Sequence, residues 1–478
     1  MSEAANAPKG QSDTGTAAAL PATVEQCHEL IVQLTQQLAQ VLAVNALLQE
    51  RLDLNSRNSS KPPSSDGPGQ GNRAQRRASA RKRGAQKGHP GSYRAMLPEA
   101  QVHEVVACAP PPQCECGASV AVHGQPRRHQ VFELPPIQPW VSEYQLQGGR
   151  CTGCGRLHRA ALPAGVPSGQ LGPRALALIG LLGTRFHLTQ LKTRDLLAQL
   201  LGLDFSVGTI SQAQGQVAAA LKAPVDEAAA ALAAAPVVHM DETLYPRQGC
   251  SNNWAWARVA PKLAVFSVLP SRARYVIHSF IGEQPRGIVV SDRYAGYAYI
   301  DPARRQVCWA HLIRDFTRIA ERPGRPGRIG KRLLALSYVL FRWRERGLCT
   351  PAQFEPLQRR LRQALERGAA QPLCRRTAGT CAKVLEVWDA LWGFLHHPGV
   401  EPTNNAAEQA LRALVLKRKI SGPTRSRRGD EFIARGFSAH ECCRRQGRNL
   451  LDYLHSAVLA WIAKISPPSL VPQPHPTG

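Results

Sequence analysis

Between residues 24 and 52 the apolar positions fall in alternating steps of three and four: Val24, Cys27, Ile31, Leu34, Leu38, Val41, then Asn45, Leu48 and Leu52. This is the a/d seam of a heptad repeat, and a single Asn at an a position favours a parallel dimer in fixed register. The pattern predicts a coiled-coil dimerisation helix over 20–54. The competing reading is an amphipathic helix packed on its own domain; the linker that follows favours self-association. From 55 to 98 periodicity disappears, Ser, Pro, Gly and Arg dominate, and the chain is expected to be disordered. A strand-like segment, "HQVFELPPIQPWVSEYQLQ", lies within 99–165. Over 171–233 the period is helical: one helix stops at Gly202, and Ser206 is placed to cap the next. That is the layout of a helix-turn-helix, whose second helix can enter a major groove, and the region is read as DNA-binding. After Pro236 the pattern changes again. Short apolar strands ("PVVHMDETLY", "NWAWARVA", "LAVFSVLP", "GIVVSD", "RQVC") are interleaved with helices in the order three strands, helix, strand, helix, strand, helix. This predicts a mixed sheet with helices on its faces. The tail, 466–478, is expected to be disordered. The class is therefore multidomain α+β.

Charge narrows the choice of partner. Lys and Arg number 60 against 34 Asp and Glu, a net charge of +26. An excess of that size favours polyanions, nucleic acid first. The linker concentrates it in Arg76, Arg77, Arg81, Lys82 and Arg83, which would lie along phosphates. A second basic stretch, Lys417, Arg418 and Lys419, is read as contacting the DNA backbone. The polar N-terminus lacks a signal-peptide pattern, and no run is expected to approach the roughly 18 apolar residues of a spanning helix. The expected location is the cytoplasm, bound to DNA, with no membrane partner.

Thirteen cysteines at irregular spacing do not form a secreted disulfide framework. Cys114 and Cys116 before the strand-like segment, with Cys151 and Cys154 after it, suit tetrahedral Zn²⁺ in a small β module. The Cys-x-Cys half is tighter than the usual pair, and Cys108 is an alternative ligand. Buried free cysteines are the competing reading.

Asp241 and Asp292 each stand at or near the end of an apolar strand, where a carboxylate is costly unless paired or bound to a cation. Hard oxygen ligands on neighbouring strands favour Mg²⁺ or Mn²⁺. In "PTNNAAEQALR" Asn405 is a good N-cap, and Glu408 falls where a capping-box carboxylate belongs. The stretch alone favours capping over metal binding.

Four blocks in order, "MDETLY", "SDRYAGY", "CWAHLIRDF" and "PTNNAAEQALR", resemble the signature blocks of the insertion sequence 66 family of bacterial DDE transposases. The likeness covers nearly the whole chain. It implies a ribonuclease-H-like catalytic domain over 234–465, with a helical insertion at about 320–400. By the same resemblance Asp241, Asp292 and Glu408 are the three catalytic carboxylates and hold two Mg²⁺ (or Mn²⁺) ions, with His311 and Asn405 as auxiliary residues. It implies cleavage and strand transfer at the ends of an element into target DNA, a homodimer or higher oligomer, and accessory proteins of the same element. Two rival readings stand beside it: a non-catalytic DNA-binding regulator derived from a transposase, and a metal-dependent nuclease without strand transfer.

Overall fold

The structure is a computed structural model, and it describes residues 23–59, 94–372 and 374–472. The cations expected at Arg76, Arg77, Arg81, Lys82 and Arg83 lie outside the described residues. The chain divides into two compact units, residues 1–70 and 71–478.

In the first unit, α1 (Val24–Leu52) is one continuous helix capped by Thr23, whose Oγ1 accepts the Gln26 N–H. It buries none of its residues, and the seam positions Ile31, Leu34, Leu38, Val41 and Leu48 are exposed. Contrary to the expectation that no run approaches a span, this helix is long and apolar enough by length and composition to cross a membrane. The glutamines at 33, 36, 37 and 40 are better suited to water on the outer face of a coil than to lipid.

The second unit begins with little regular structure. Its first pairing is a short hairpin, β1 (Gly148–Arg150) with β2 (Leu157–Arg159). The strand-like segment before it forms no strand. Pro135, Pro136 and Pro139 remove ladder donors at three of its positions, which outweighs its β-branched and aromatic content.

A helical layer follows: α2 (Pro173–Thr184), α3 (Gln190–Leu201), α4 (Val207–Ala220) and α5 (Lys222–Ala233). The expected hairpin is present. Gly202 closes α3 at φ 63°, and Ser206 caps α4 by accepting the Thr209 N–H. Yet α4 buries Ile210, Ala213, Gln214, Val217, Ala218 and Ala220 in the domain core. It also contains no Lys or Arg.

The sheet runs β5-β4-β3-β6-β7, with β3 (Val237–Leu244), β4 (Trp254–Val259), β5 (Ala264–Leu269), β6 (Ile288–Ser291) and β7 (Arg305–Val307). The first three strands are antiparallel, and β3, β6 and β7 are mutually parallel. Helix α6 (Arg274–Ile281) precedes β6 and packs Val276 and Ile277 against Met240 and Trp256. A helix was expected between β6 and β7; two 3₁₀ turns, Ala295–Tyr297 and Pro302–Arg304, stand there instead.

After β7 come α7 (Trp309–Ala320) and the insertion, α8 (Gly324–Glu345), α9 (Pro351–Ala369), α10 (Arg375–Leu385) and the short α11 (Gly393–His396), around a second core. Three further helices, α12 (Asn405–Ser421), α13 (Arg427–Gln446) and α14 (Leu450–Ala463), return to the first core. Helix α13 covers the outer edge of β5: Ser438 Oγ accepts the Phe266 N–H at 2.8 Å, and Cys442 Sγ exchanges hydrogen bonds with Ala264. A covered edge cannot template pairing with another chain.

Candidate active site

The site is set by register. Val237, Val238 and His239 on β3 pair with Ile288, Val289 and Val290 on β6. Carried two residues on, the same register sets Asp241 level with Asp292, the first residue beyond β6. Side chains level on adjacent parallel strands share a face, so the two carboxylates face one another's neighbourhood. Asp241 Oδ1 accepts the Glu242 N–H at 2.9 Å, and Asp292 Oδ1 accepts the Tyr294 N–H at 2.9 Å.

The third carboxylate comes from α12. Helix α12 begins at Asn405 with Asn404 in the cap position, so Asn405 is an exposed first helical residue and not the N-cap expected from sequence. Asn404 makes no side-chain cap bond; its side chain is turned inward. Its Nδ2 donates to the Met240 carbonyl at 2.7 Å, its Oδ1 accepts from His239 Nδ1 at 3.2 Å, and its N–H reaches Cys308 Sγ at 3.1 Å. These bonds pin the start of α12 to β3 beside Asp241. Glu408 is therefore one position beyond the capping-box site, and its side chain points across to α7. There Glu408 Oε1 lies 3.5 Å from His311 Nδ1, and Oε2 lies 3.4 Å from Arg314 Nη2.

Asp241, Asp292 and Glu408 do not gather ligand oxygens within 4.8 Å of one another among the described residues, yet their charges act on one another. Burial first, then the charges of Glu242, Asp292 and Glu408, push the Asp241 carboxyl well above the usual carboxylate range. Burial holds His311 below the ordinary imidazole value, with Glu408 and Asp292 pulling the other way. Glu408 Oε1 is buried without a hydrogen-bond partner among the described residues. A buried carboxylate oxygen without a hydrogen bond, whose charge is felt at Asp241, is the environment a divalent cation would relieve. The residues thus fit hard-cation binding. Cys308, His311 and Glu408 also offer ligand atoms within 4.8 Å of one another. Burial raises the Cys308 thiol to about 11, so it remains a protonated, soft group suited to packing and not to Mg²⁺.

Glu242, the residue after Asp241, lies on the opposite face of β3. Its carboxylate accepts Arg272 Nε at 2.6 Å and the Tyr297 hydroxyl at 3.1 Å. Arg272 in turn stacks 3.9 Å over Tyr294. Beneath the site, Asp315 on α7 pairs with both Arg293, next to Asp292, and Arg318. No spacing in the sequence joins these residues; the signal is only that Arg293 and Tyr294 share a block with Asp292.

Other expected residues fall elsewhere. Lys417 is buried and donates Nζ to the Leu188 carbonyl at 2.6 Å, so it is committed to the α2–α3 connection and not presented to a phosphate. Arg418 donates to the Leu244 carbonyl, whereas Lys419 is exposed. Cys114–Gly117 and Cys151–Gly155 form two turns of like construction, each closed by a glycine at positive φ (85° and 74°). In each, N–H donors of the second cysteine lower the first thiol: Cys116 acts on Cys114, and Cys154 on Cys151. Each pair suits half a zinc site. The four sulfurs do not gather into one ligand group among the described residues, so nothing further is derived from zinc.

The site is thus a mixed sheet whose central parallel strands carry Asp241 and lead to Asp292, with a helix that carries Glu408 packed beside them. The family model described as Transposase IS66 family matches residues 168–431, which include Asp241, Asp292 and Glu408. The chain belongs to the IS66 transposase family. Residues 11–95 match a second family model, described as a family of unknown function. An uncharacterized protein of Sinorhizobium fredii (strain NBRC 101917 / NGR234) is 26% identical over 383 residues, covering 71% of this chain and 69% of that protein. No solved structure matches the chain.

Proposed function

We propose that the protein is a DDE transposase that cleaves DNA at the ends of its element and joins them to target DNA. The observation that carries this reading is the arrangement of Asp241, Asp292 and Glu408, from two neighbouring parallel strands and a helix, such that their charges are felt together. The β5-β4-β3-β6-β7 order, antiparallel then parallel, supports a ribonuclease-H-like assignment. A regulator that only bound DNA would gain nothing from half-buried acids whose charges repel one another.

When bound, two Mg²⁺ or Mn²⁺ ions at the three carboxylates would supply charge neutralisation and an activated attacking oxygen. The chain's own residues do the rest. Asn404 fixes the start of α12 against β3, so that the helix carrying Glu408 is held beside the strand carrying Asp241. Arg314 and His311 orient Glu408, and the Arg272–Glu242 pair holds the other face of β3 in place. Water-driven cleavage frees a 3′-OH, and joining directs that 3′-OH at a target phosphate. Positioning and charge carry the chemistry, so no covalent nucleophile is required. Dimerisation through α1 would bring two element ends together, and the protein would work in the cytoplasm on DNA.

The test is incubation of the full chain with element-end DNA and a target plasmid, with Mg²⁺ or with excess chelator. Joined products that require Mg²⁺ are expected. Joining in chelator contradicts the reading, cleavage without joining favours the nuclease, and binding without either favours the regulator.

A further inference from the structure

Helix α8, the first of the insertion, is two-faced. Pro326, Gly327, Gly330, Leu333, Ser337 and Leu340 are buried. At 100° per residue the exposed Arg325, Arg328, Lys331, Arg332, Arg342 and Arg346 fall within an arc of about 140° on the opposite side. Tyr338, 44% exposed, lies in the same arc. None of the six cations is in an ion pair among the described residues, and the only acid on the helix, Glu345, comes in its last turn. Six like charges on one stripe repel one another and do not favour the helix; a polyanion laid along them would reverse the sign. From Arg325 to Arg346 the stripe is about 32 Å long, close to one turn of duplex DNA, about 34–36 Å. The helix that carries the stripe packs on the helix that borders the site. Helix α8 follows α7 after three residues, Gly330 packs on the Ile319–Ala320 backbone, and the first turns of α7 carry the His311 and Arg314 that flank Glu408.

We propose that the cationic face of α8 is a backbone track for duplex DNA, holding the phosphates of DNA that runs through the catalytic site, without reading sequence. The inference rests on the transposase reading, and charge complementarity identifies the occupant. Contacts to phosphate oxygens carry no base code, so a track made of them would serve any duplex equally.

The experiment measures binding of the full chain to two duplexes of unrelated sequence, in chelator, across a range of salt. Three variants are compared with the native chain. The first carries Arg325→Gln, Arg328→Gln, Arg332→Gln and Arg342→Gln; the second changes the same four to Lys. The third removes four charges from α9 (Arg359→Gln, Arg360→Gln, Arg362→Gln, Arg367→Gln). Each lost phosphate contact reduces the slope of log K against log salt by about 0.9, so the first variant should lose about 3–4 on both duplexes, with at least a tenfold weaker complex at about 0.1 M salt. The Lys variant should keep the slope, and the α9 variant should move it by no more than about one. An unchanged slope in the first variant overturns the proposal. So does an equal fall in the α9 variant, or a loss confined to one duplex. Because no chemistry takes place in chelator, failure here is separable from failure of the joining assay.

Discussion

Asn404 makes three bonds from a fully buried position, and each ends on a segment of the site: Met240 and His239 on β3, and Cys308 before α7. Alanine there would strand the Met240 carbonyl and the His239 imidazole without partners. Leaving buried polar groups unsatisfied costs about 1–3 kcal/mol each, so Asn404→Ala should lower the denaturation midpoint by an amount of that order. Cleavage should also slow more than DNA binding weakens, since α12 would no longer hold Glu408 at a fixed distance from Asp241. An unaltered midpoint would mean that Asn404 anchors nothing. The sequence pointed to the neighbouring asparagine, because Asn405 sits three residues before Glu408 and satisfies the spacing of a capping box. The inward turn of Asn404 depends on what α12 packs against, and local spacing does not contain that.

At the scale of elements, the contact that fixes the insertion is glycine-mediated. A Cβ at Gly330 would lie 2.3 Å from the Ala320 backbone nitrogen, so α8 crosses α7 at a distance only glycine permits. Gly330→Ala should therefore destabilise by on the order of 3 kcal/mol or more, read as a lowered thermal midpoint, whereas Gly379→Ala, where a Cβ meets nothing within 4 Å, should leave it nearly unchanged. Equal effects would contradict the close crossing. Where local signals were strong the elements were legible: the stop at Gly202, the cap at Ser206, the three antiparallel strands and the strand that ends before Asp292. The misreadings have definite causes. Prolines cancelled the β tendency of residues 129–147, and the link between β6 and β7, which carries Gly296 and Pro302, forms two 3₁₀ turns in place of a helix. Helix α4, although it follows the expected turn, turns its apolar residues into the core, because the helices that cover it arrive more than 200 residues later.

Across the whole molecule, the site draws on four segments, at residues 241, 292, 311 and 408, and nothing in their spacing makes them neighbours. Periodicity placed Asp241 and Asp292 at strand ends, but only the resemblance of four ordered blocks joined Glu408 to them, since its local sequence is that of an ordinary helix start. The net charge of +26 indicated a polyanionic partner without saying where it lies; the fold adds the face of α8 and takes Lys417 away. The proposed mechanism needs Glu408 as a carboxylate ligand and not only as part of the helix start, paired with Arg314 and His311. Glu408→Gln tests it directly: the full chain is assayed for Mg²⁺-dependent cleavage and joining, with circular dichroism and DNA binding measured on the same preparation. Gln matches Glu in shape but lacks the charge a hard cation needs. The account predicts a folded, DNA-binding protein with joining reduced by at least about a hundredfold, the scale on which a single electrostatic group contributes at such sites. Joining at the native rate would contradict it and return Glu408 to the helix.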